Sequence, residues 1–180
     1  MPVKANINLP ETATAGIRQI INADWTVLGG FEWTNWSRLN DLTIVASATG
    51  ATVLGPRMAG SPIASIPAKW DDGWFFSGGV EYDFDRALTL RTGVAWERSP
   101  IQDATQRLVG IPDADRTWLS IGASYKWSEN VVFDLAYSHI FVADAQLNQT
   151  GIGGAPQLVA DLDSHIDIIS IGTRIKWGGP

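Results

Sequence analysis

The sequence predicts an all-β fold, an antiparallel transmembrane β-barrel of about eight strands with short turns at one end and long loops at the other. Three observations carry this expectation. Side-chain polarity alternates with a period of two, the polar row is made of Gly, Ser and Thr with single charges, and aromatic residues gather at strand ends. Successive side chains of a strand point to opposite faces, so a two-residue period sorts each strand into two environments.

The clearest stretch is "NVVFDLAYSHIFVAD", residues 130–144, where Val131, Phe133, Leu135, Tyr137, His139 and Phe141 share one face and Val132, Asp134, Ala136, Ser138 and Ile140 the other. In chain order, a first strand is expected at 3–9 and a second at 12–21, with Ala13, Ala15 and Ile17 against Thr14, Gly16 and Arg18. A third begins at Trp25, with Val27, Phe31 and Trp33 opposing Thr26, Gly30, Glu32 and Thr34, and could run on through "LTIVASA". The fourth, 74–84, sets Trp74, Phe76, Val80 and Tyr82 against Phe75, Ser77, Gly79, Glu81 and Asp83. The fifth, 88–96, sets Leu88, Leu90, Val94 and Trp96 against Thr89, Arg91 and Gly93. The sixth, 118–127, sets Leu119, Ile121, Ala123 and Tyr125 against Trp118, Ser120, Gly122 and Ser124. After the seventh at 130–144, the eighth sets Ile169, Ile171 and Ile175 against Ser170, Gly172 and Arg174. "TAGIRQI", "SGGVEYDF", "SIGASYKW" and "SIGTRIKW" repeat one pattern, as if a hairpin unit were reused. Short turns near 22–24, 84–87 and 127–130 alternate with long segments near 48–68, 98–115 and 143–164, which puts the long loops at one end.

Composition narrows the function classes. A chain of 180 residues suits one domain, 1–180. Its charged fraction of 18% is below the ~25% usual for soluble domains. A net charge of -6 without a basic stripe argues against nucleic acid as partner. With no cysteine, disulfides, thiolate metal sites and a cysteine nucleophile are excluded. No apolar run approaches the ~18 residues of a transmembrane helix. "MPVKANINLP" lacks the basic start and apolar run of a signal peptide, so an exported chain is expected to be a mature form or a fragment.

A soluble barrel packs its large apolar residues inside and shows a Lys/Glu-rich exterior. Here the polar row suits a wet lumen, and Trp25, Trp33, Trp74, Phe84, Trp96, Trp127 and Trp177 fall where interfacial girdles belong. Membrane lipid is therefore the expected environment of the apolar face. The alternatives are a soluble up-and-down barrel carrying a small lipid, and a small structural membrane barrel that transports nothing.

"LPETATAGIR" (9–18), "DWTVLGGFEWTNWS" (24–37), "LTLRTGVAWERSPI" (88–101), "IPDADRTWLSIGASYKW" (111–127) and "LAYSHIFV" (135–142) resemble, in the same order, segments in the C-terminal half of the FadL/TodX (OmpP1) transporters. The resemblance implies the outer membrane of a Gram-negative bacterium and non-enzymatic, cofactor-free, passive transport of long-chain fatty acids or aromatic hydrocarbons. It also implies that these are the C-terminal eight strands of a 14-stranded barrel, without the family's N-terminal hatch. An unclosed sheet exposes two edges, which lipid cannot satisfy. Pairing with a second copy, or with a missing N-terminal half, is then expected.

For substrate passage, inward Phe75, Trp118, Ile140 and Ile168 are candidates for apolar patches, and Arg91 or Arg174 for meeting a carboxylate. Asp113, Asp115 and Arg116 of "IPDADR" are read as a loop held by Asp side chains on backbone amides, or as a docking or gating motif. His139 and His165, the only histidines, would need Asp163 or Asp167 to bind a metal, and no metal is expected. "KWDDGW" (69–74) lacks the later ligands of a calcium loop and reads as a bend. Glu81 and Glu97 read as lumen lining, and no catalytic set is expected.

Overall fold

A computed structural model describes residues 2–5, 7–39, 41–52, 55–67, 69–149 and 157–177. Its strands are β1 (Val3–Ala5), β2 (Thr12–Ile20), β3 (Trp25–Thr34), β4 (Asp41–Ala46), β5 (Gly50–Thr52), β6 (Gly55–Arg57) and β7 (Pro62–Pro67). They continue with β8 (Gly73–Asp83), β9 (Leu88–Arg98), β10 (Arg116–Ser128), β11 (Val131–Val142), β12 (Ala145–Gln149), β13 (Leu158–Leu162) and β14 (His165–Ile175). The one helical element among the described residues is a 3₁₀ turn, Trp36–Arg38.

Seven long strands make the main sheet, in the order β14-β11-β10-β9-β8-β3-β2, every neighbouring pair antiparallel. They are 9 to 13 residues long. A tilted strand needs ~9–11 residues to cross a bilayer core. Residues 21–24, 84–87 and 129–130 turn the chain at one end, while 35–72, 99–115 and 143–164 connect strands at the other. Asn22 and Asp85 each cap their turn by accepting two backbone N–H bonds, at 2.9 and 2.9 Å and at 2.7 and 2.8 Å.

Among the described residues the main sheet holds seven long strands, and the first of the eight expected, at 3–9, does not join it. Residues 3–5 pair with β4 (Val3↔Ala46, Ala5↔Ile44) in a separate three-stranded sheet, β1-β4-β7, and 7–9 are not strand. The apolar alternation there is real, but its partner is a loop-end sheet. Nor does the third strand run on through "LTIVASA". It ends at Thr34, where Asp72 reaches across to accept the Trp33 indole N–H (3.0 Å) and the Ser37 amide (3.3 Å) and stabilises the 3₁₀ turn. The long loops hold structure of their own, the hairpins β5-β6 and β12-β13. Edge strands β2 and β14 have no partner strand along the main sheet among the described residues, so the barrel is not closed.

The two faces divide as the alternation requires. Ile121 stands opposite Tyr137 and Thr92, Leu135 opposite Ala123 and Ile171, and Phe76 opposite Phe31 and Trp96. This apolar face is open to the surroundings, with Ile169 72% and Ile171 81% exposed. The buried positions lie on the polar face instead: Thr26, Ala95, Ser124 and Ile140 are buried, so the sheet curls around its polar side. Gly79 and Gly93 face each other there, and a Cβ on Gly79 would sit 3.1 Å from the Thr92 carbonyl, too close for a larger residue without displacing a neighbour.

Aromatic side chains mark both ends of the apolar face. Trp25 and Tyr82 meet in a tilted pair at 4.6 Å, with Tyr82–Phe84 and Tyr125–Trp127 beside the short turns. Toward the loops lie Phe31–Phe76 (5.3 Å), Phe31–Trp74 (5.9 Å), Phe76–Trp96 (6.2 Å) and Trp33–Trp74 (6.5 Å). Amphipathic rings at these two levels suit the two interfaces of a bilayer.

Candidate functional site: the inner wall and its loop clasp

Strand register stacks the inner face into zones. Toward the loop end, Phe75 and Trp118 meet edge-to-face at 6.4 Å, and Trp118 stands directly opposite Ile140. Ile166 follows opposite Ile140, and Ile168 opposite Ser138. The indole N–H of Trp118 is buried and meets no acceptor among the described residues. Below comes a waist of small side chains, and Leu28, Gly16, Gly30, Ser77, Gly79, Gly93, Ala95 and Ser120 join Phe75 and Trp118 around a cavity of about 650 Å³.

Toward the short turns a belt of charge crosses the sheet from edge to edge. Glu81 on β8 accepts from Arg18 on β2 (3.1 Å) and from Arg91 on β9 (2.6 Å). Arg91 also donates to the Ser124 hydroxyl on β10 (2.5 Å), and Ser124 donates to Asp134 on β11. Asp134 accepts twice from Arg174 on β14, at 3.1 and 3.2 Å. Cation and anion thus alternate across the wall, three arginines against two carboxylates. Closely spaced opposite charges on neighbouring strands stabilise a sheet, and they spare each carboxylate an unpaired place in a low-dielectric wall.

Of the predicted lining residues, the structure gathers Phe75, Trp118 and Ile140 into one apolar zone, with Ile168 below it, and places Arg91 and Arg174 in the belt. Glu81 is bound by two arginines and Glu97 lies 3.5 Å from Arg116, so each carboxylate has its own cationic partner.

The "IPDADR" segment is a clasp. Asp113 accepts the Ser99 hydroxyl (2.6 Å) and pairs with Arg116, while Asp115 accepts the Ser99 amide (2.9 Å) and the Gln102 side chain (3.0 Å). The residue that sequence reasoning missed is Arg107. It is buried, and its guanidinium donates to the carbonyls of Asp113 (2.8 Å), Ile101 (2.9 Å) and Gln146, tying loop 99–115 to β12. Backbone carbonyls carry no sequence signature, so only its burial reveals the role. Asp103 shares this loop, and the Thr105 hydroxyl and amide hold its carboxyl below the usual range.

His139, Asp167 and His165 come together on the outer face, but around Asp167 itself. Asp167 accepts from Tyr137 (2.6 Å) and pairs with His139 (2.7 Å), and His165 stands 3.9 Å away. Among the described residues no three His, Cys, Asp or Glu side chains are arranged to hold a metal ion. In "KWDDGW" the bend is explicit: Lys69 has a left-handed φ of 43° and Asp72 holds the 3₁₀ turn.

The family model described as outer membrane protein transport protein (OMPP1/FadL/TodX) matches residues 1–177. The chain belongs to this family. A putative outer membrane protein of Neisseria meningitidis serogroup B is 27% identical over 97% of the chain and 38% of its own length. The long-chain fatty acid transport protein of Escherichia coli K12 is 27% identical over 79% of the chain and 29% of its own length. A crystal structure of a Pseudomonas aeruginosa FadL homologue superposes with a TM-score of 0.81 at 26% identity, covering 96% of this chain and 37% of that one. The Pseudomonas putida toluene transporter TodX shares the fold, with a TM-score of 0.64 at 17% identity over 98% of this chain and 37% of its own. The chain therefore spans well under half the length of these FadL/TodX relatives. As a family member it is an outer-membrane β-barrel protein of Gram-negative type.

Proposed function

We propose that residues 1–180 form one wall of a passive outer-membrane channel for hydrophobic compounds, long-chain fatty acids or aromatic hydrocarbons, completed by further barrel strands. The observation that carries this reading is the inner cavity of about 650 Å³, walled by Leu28, Phe75, Ala95 and Trp118 beside the Arg18–Glu81–Arg91 group. An apolar chain gains ~25 cal/mol per Å² of surface it removes from water, which favours the Phe75–Trp118–Ile140 zone. A carboxylate head would find guanidinium groups about 14 Å away along the strands, since Arg91 is four residues from Ala95, the partner of Trp118. That spacing is within the reach of a long-chain acyl group. Ile168 would extend the apolar strip, and Arg174 would offer a second cation. In this reading the clasp of Asp113, Asp115 and Arg116 sets the shape of the loop-side entrance.

The test uses a fatty acid brominated near mid-chain. Trp118 is the one tryptophan among the described strand residues that points to the inner face. Its emission should show saturable quenching, competed by oleate, and Trp118→Phe should remove that component while leaving the nonsaturable quenching of the outer tryptophans. A saturable component that survives Trp118→Phe would place the bound chain elsewhere and refute the proposed site.

A further inference from the structure

The outer, apolar face carries a carboxylate that has no lysine or arginine partner among the described residues. Asp167 lies on β14 in the row His165, Asp167, Ile169, Ile171, directly opposite His139 on β11. The Tyr137 hydroxyl donates to its Oδ1 (2.6 Å) and His139 Nδ1 meets the same oxygen (2.7 Å), while His165 Nε2 stands 3.9 Å from Oδ2. Oδ1 is therefore fully engaged, and Oδ2 accepts no hydrogen bond among the described residues. An ionised carboxylate on a membrane-facing strand is costly unless a charge pairs with it. Tyrosine and neutral histidine supply hydrogen bonds but no charge.

The same residues close one end of a groove. Ala123 on β10 stands between Leu90 on β9 and Leu135 on β11, and the notch left by its small side chain is an open apolar cavity of about 650 Å³, lined also by Ile121, Tyr137 and Ile169. A second cavity, of about 340 Å³, shares Ile121 and Tyr137 and continues past Leu119 to His139 and Phe141. Together they follow the strands from mid-sheet to the loop-side aromatics, and the six residue steps from Leu135 to Phe141 span about 20 Å. Asp167 stands beside the loop-side end, one outward position beyond Ile169. An apolar trough with a polar cluster at its interfacial end has the outline of one lipid, chain along the wall and headgroup at the cluster.

We infer that the outer face holds a single lipid with a primary-ammonium headgroup, its ammonium on Oδ2 of Asp167 and one acyl chain in the groove at Ala123. Charge complementarity selects the headgroup. The cluster offers an anionic acceptor, and a primary ammonium brings both the opposite charge and N–H donors. A quaternary ammonium brings the charge alone, and a phosphate headgroup without an amine meets like charge. The inference rests on the reading of this sheet as an outer-membrane wall with its apolar face in lipid.

Lipid retention tests it. The protein is reconstituted in vesicles of equal parts phosphatidylethanolamine, phosphatidylcholine and phosphatidylglycerol with matched acyl chains, released in mild detergent, and weighed with its bound lipids by native mass spectrometry. Phosphatidylethanolamine should be retained about fivefold over phosphatidylcholine, the gain of an ion pair at a half-exposed site. Asp167→Asn, isosteric at an exposed position, should erase that preference, and Ala123→Phe, which fills the notch, should lower retention of all three lipids. Equal retention of phosphatidylethanolamine and phosphatidylcholine by the unaltered protein, a preference for phosphatidylglycerol, or a preference that survives Asp167→Asn would overturn the headgroup site and leave the membrane-wall reading intact. Retention unchanged by Ala123→Phe would overturn the groove. A protein that stays monodisperse without detergent and retains no lipid would overturn both the inference and the reading beneath it.

Discussion

Replacing Arg107 with methionine should release the loop clasp while sparing the sheet. Arg107 is 5% exposed and makes its hydrogen bonds to three carbonyls, Asp113, Ile101 and Gln146. Hydrogen bonds from a charged donor contribute about 1.5–3 kcal/mol each, and the three are not additive because one side chain makes them all. Methionine fills part of the volume but leaves the three carbonyls without their donor. A local destabilisation of about 3–5 kcal/mol follows. That corresponds to roughly 100- to 4,000-fold faster opening-limited amide exchange, at tenfold per 1.4 kcal/mol. The reporters are the amides that join the loops, Asn148 N–H to Ala104 (2.9 Å) and Ala143 N–H to Asp115 (2.8 Å). Arg107→Lys should fall between, since a single ammonium cannot span three divergent carbonyls. Hydrogen exchange read by mass spectrometry should show the acceleration in 99–115 and 143–149 and none in β10. Unchanged exchange at Asn148 and Ala143 would refute the clasp, and acceleration throughout the sheet would show that Arg107 supports the wall itself.

Three further outcomes are expected. Ile121→Arg, at the sixth of thirteen residues of β10 and on the exposed apolar face, should cost about 2–4 kcal/mol of folding stability in bilayers, measured by urea titration in vesicles; no loss would mean that this face does not meet hydrocarbon. Asp134→Ser removes the partner of Arg174, but that arginine is largely exposed, so the cost should stay near 1 kcal/mol in the same titration, far below that of Ile121→Arg. Asp72 has its carboxyl held below the ordinary value of 3.8 by hydrogen bonds from Ser37 and then Trp33. Its contribution should be fully present above about pH 4 and lost as pH falls through the depressed value. The stability gap between the unaltered chain and Asp72→Asn should therefore close in acid, and a gap that widens there would have the wrong sign.

Much of the wall was legible from residues alone because period-two polarity is a direct image of a two-faced sheet. The two-residue period places Phe133 and Asp134 on opposite faces, and the short turns fall where the alternation breaks. What failed did so for identifiable reasons. "VKANINL" alternates as well as any spanning strand, but alternation does not name a partner, and Val3 and Ala5 pair with β4 in the loop-side sheet. "LTIVASA" looked continuous with β3 because nothing local announces that Asp72, 35 residues beyond Ser37, holds the turn between them. The candidate site shows the same limit. Phe75, Trp118 and Ile140 were nameable as inward and apolar, yet their meeting depends on register across β8, β10 and β11. The charge belt was visible as scattered single charges, and only register shows that Arg18, Glu81, Arg91, Asp134 and Arg174 form one line. Arg107 left no trace, because its partners are main-chain oxygens.

The assignment of lipid and lumen faces is the claim on which the rest depends, and the absence of cysteine makes it directly measurable. Single cysteines placed in turn along β11, spin-labelled after assembly in bilayers, report collisions with oxygen, which concentrates in hydrocarbon, and with a water-soluble nickel chelate. Oxygen accessibility should peak at Phe133, Leu135 and Tyr137, and nickel accessibility at Asp134, Ala136 and Ser138. The opposite phase, or nickel access at every position, would contradict the account.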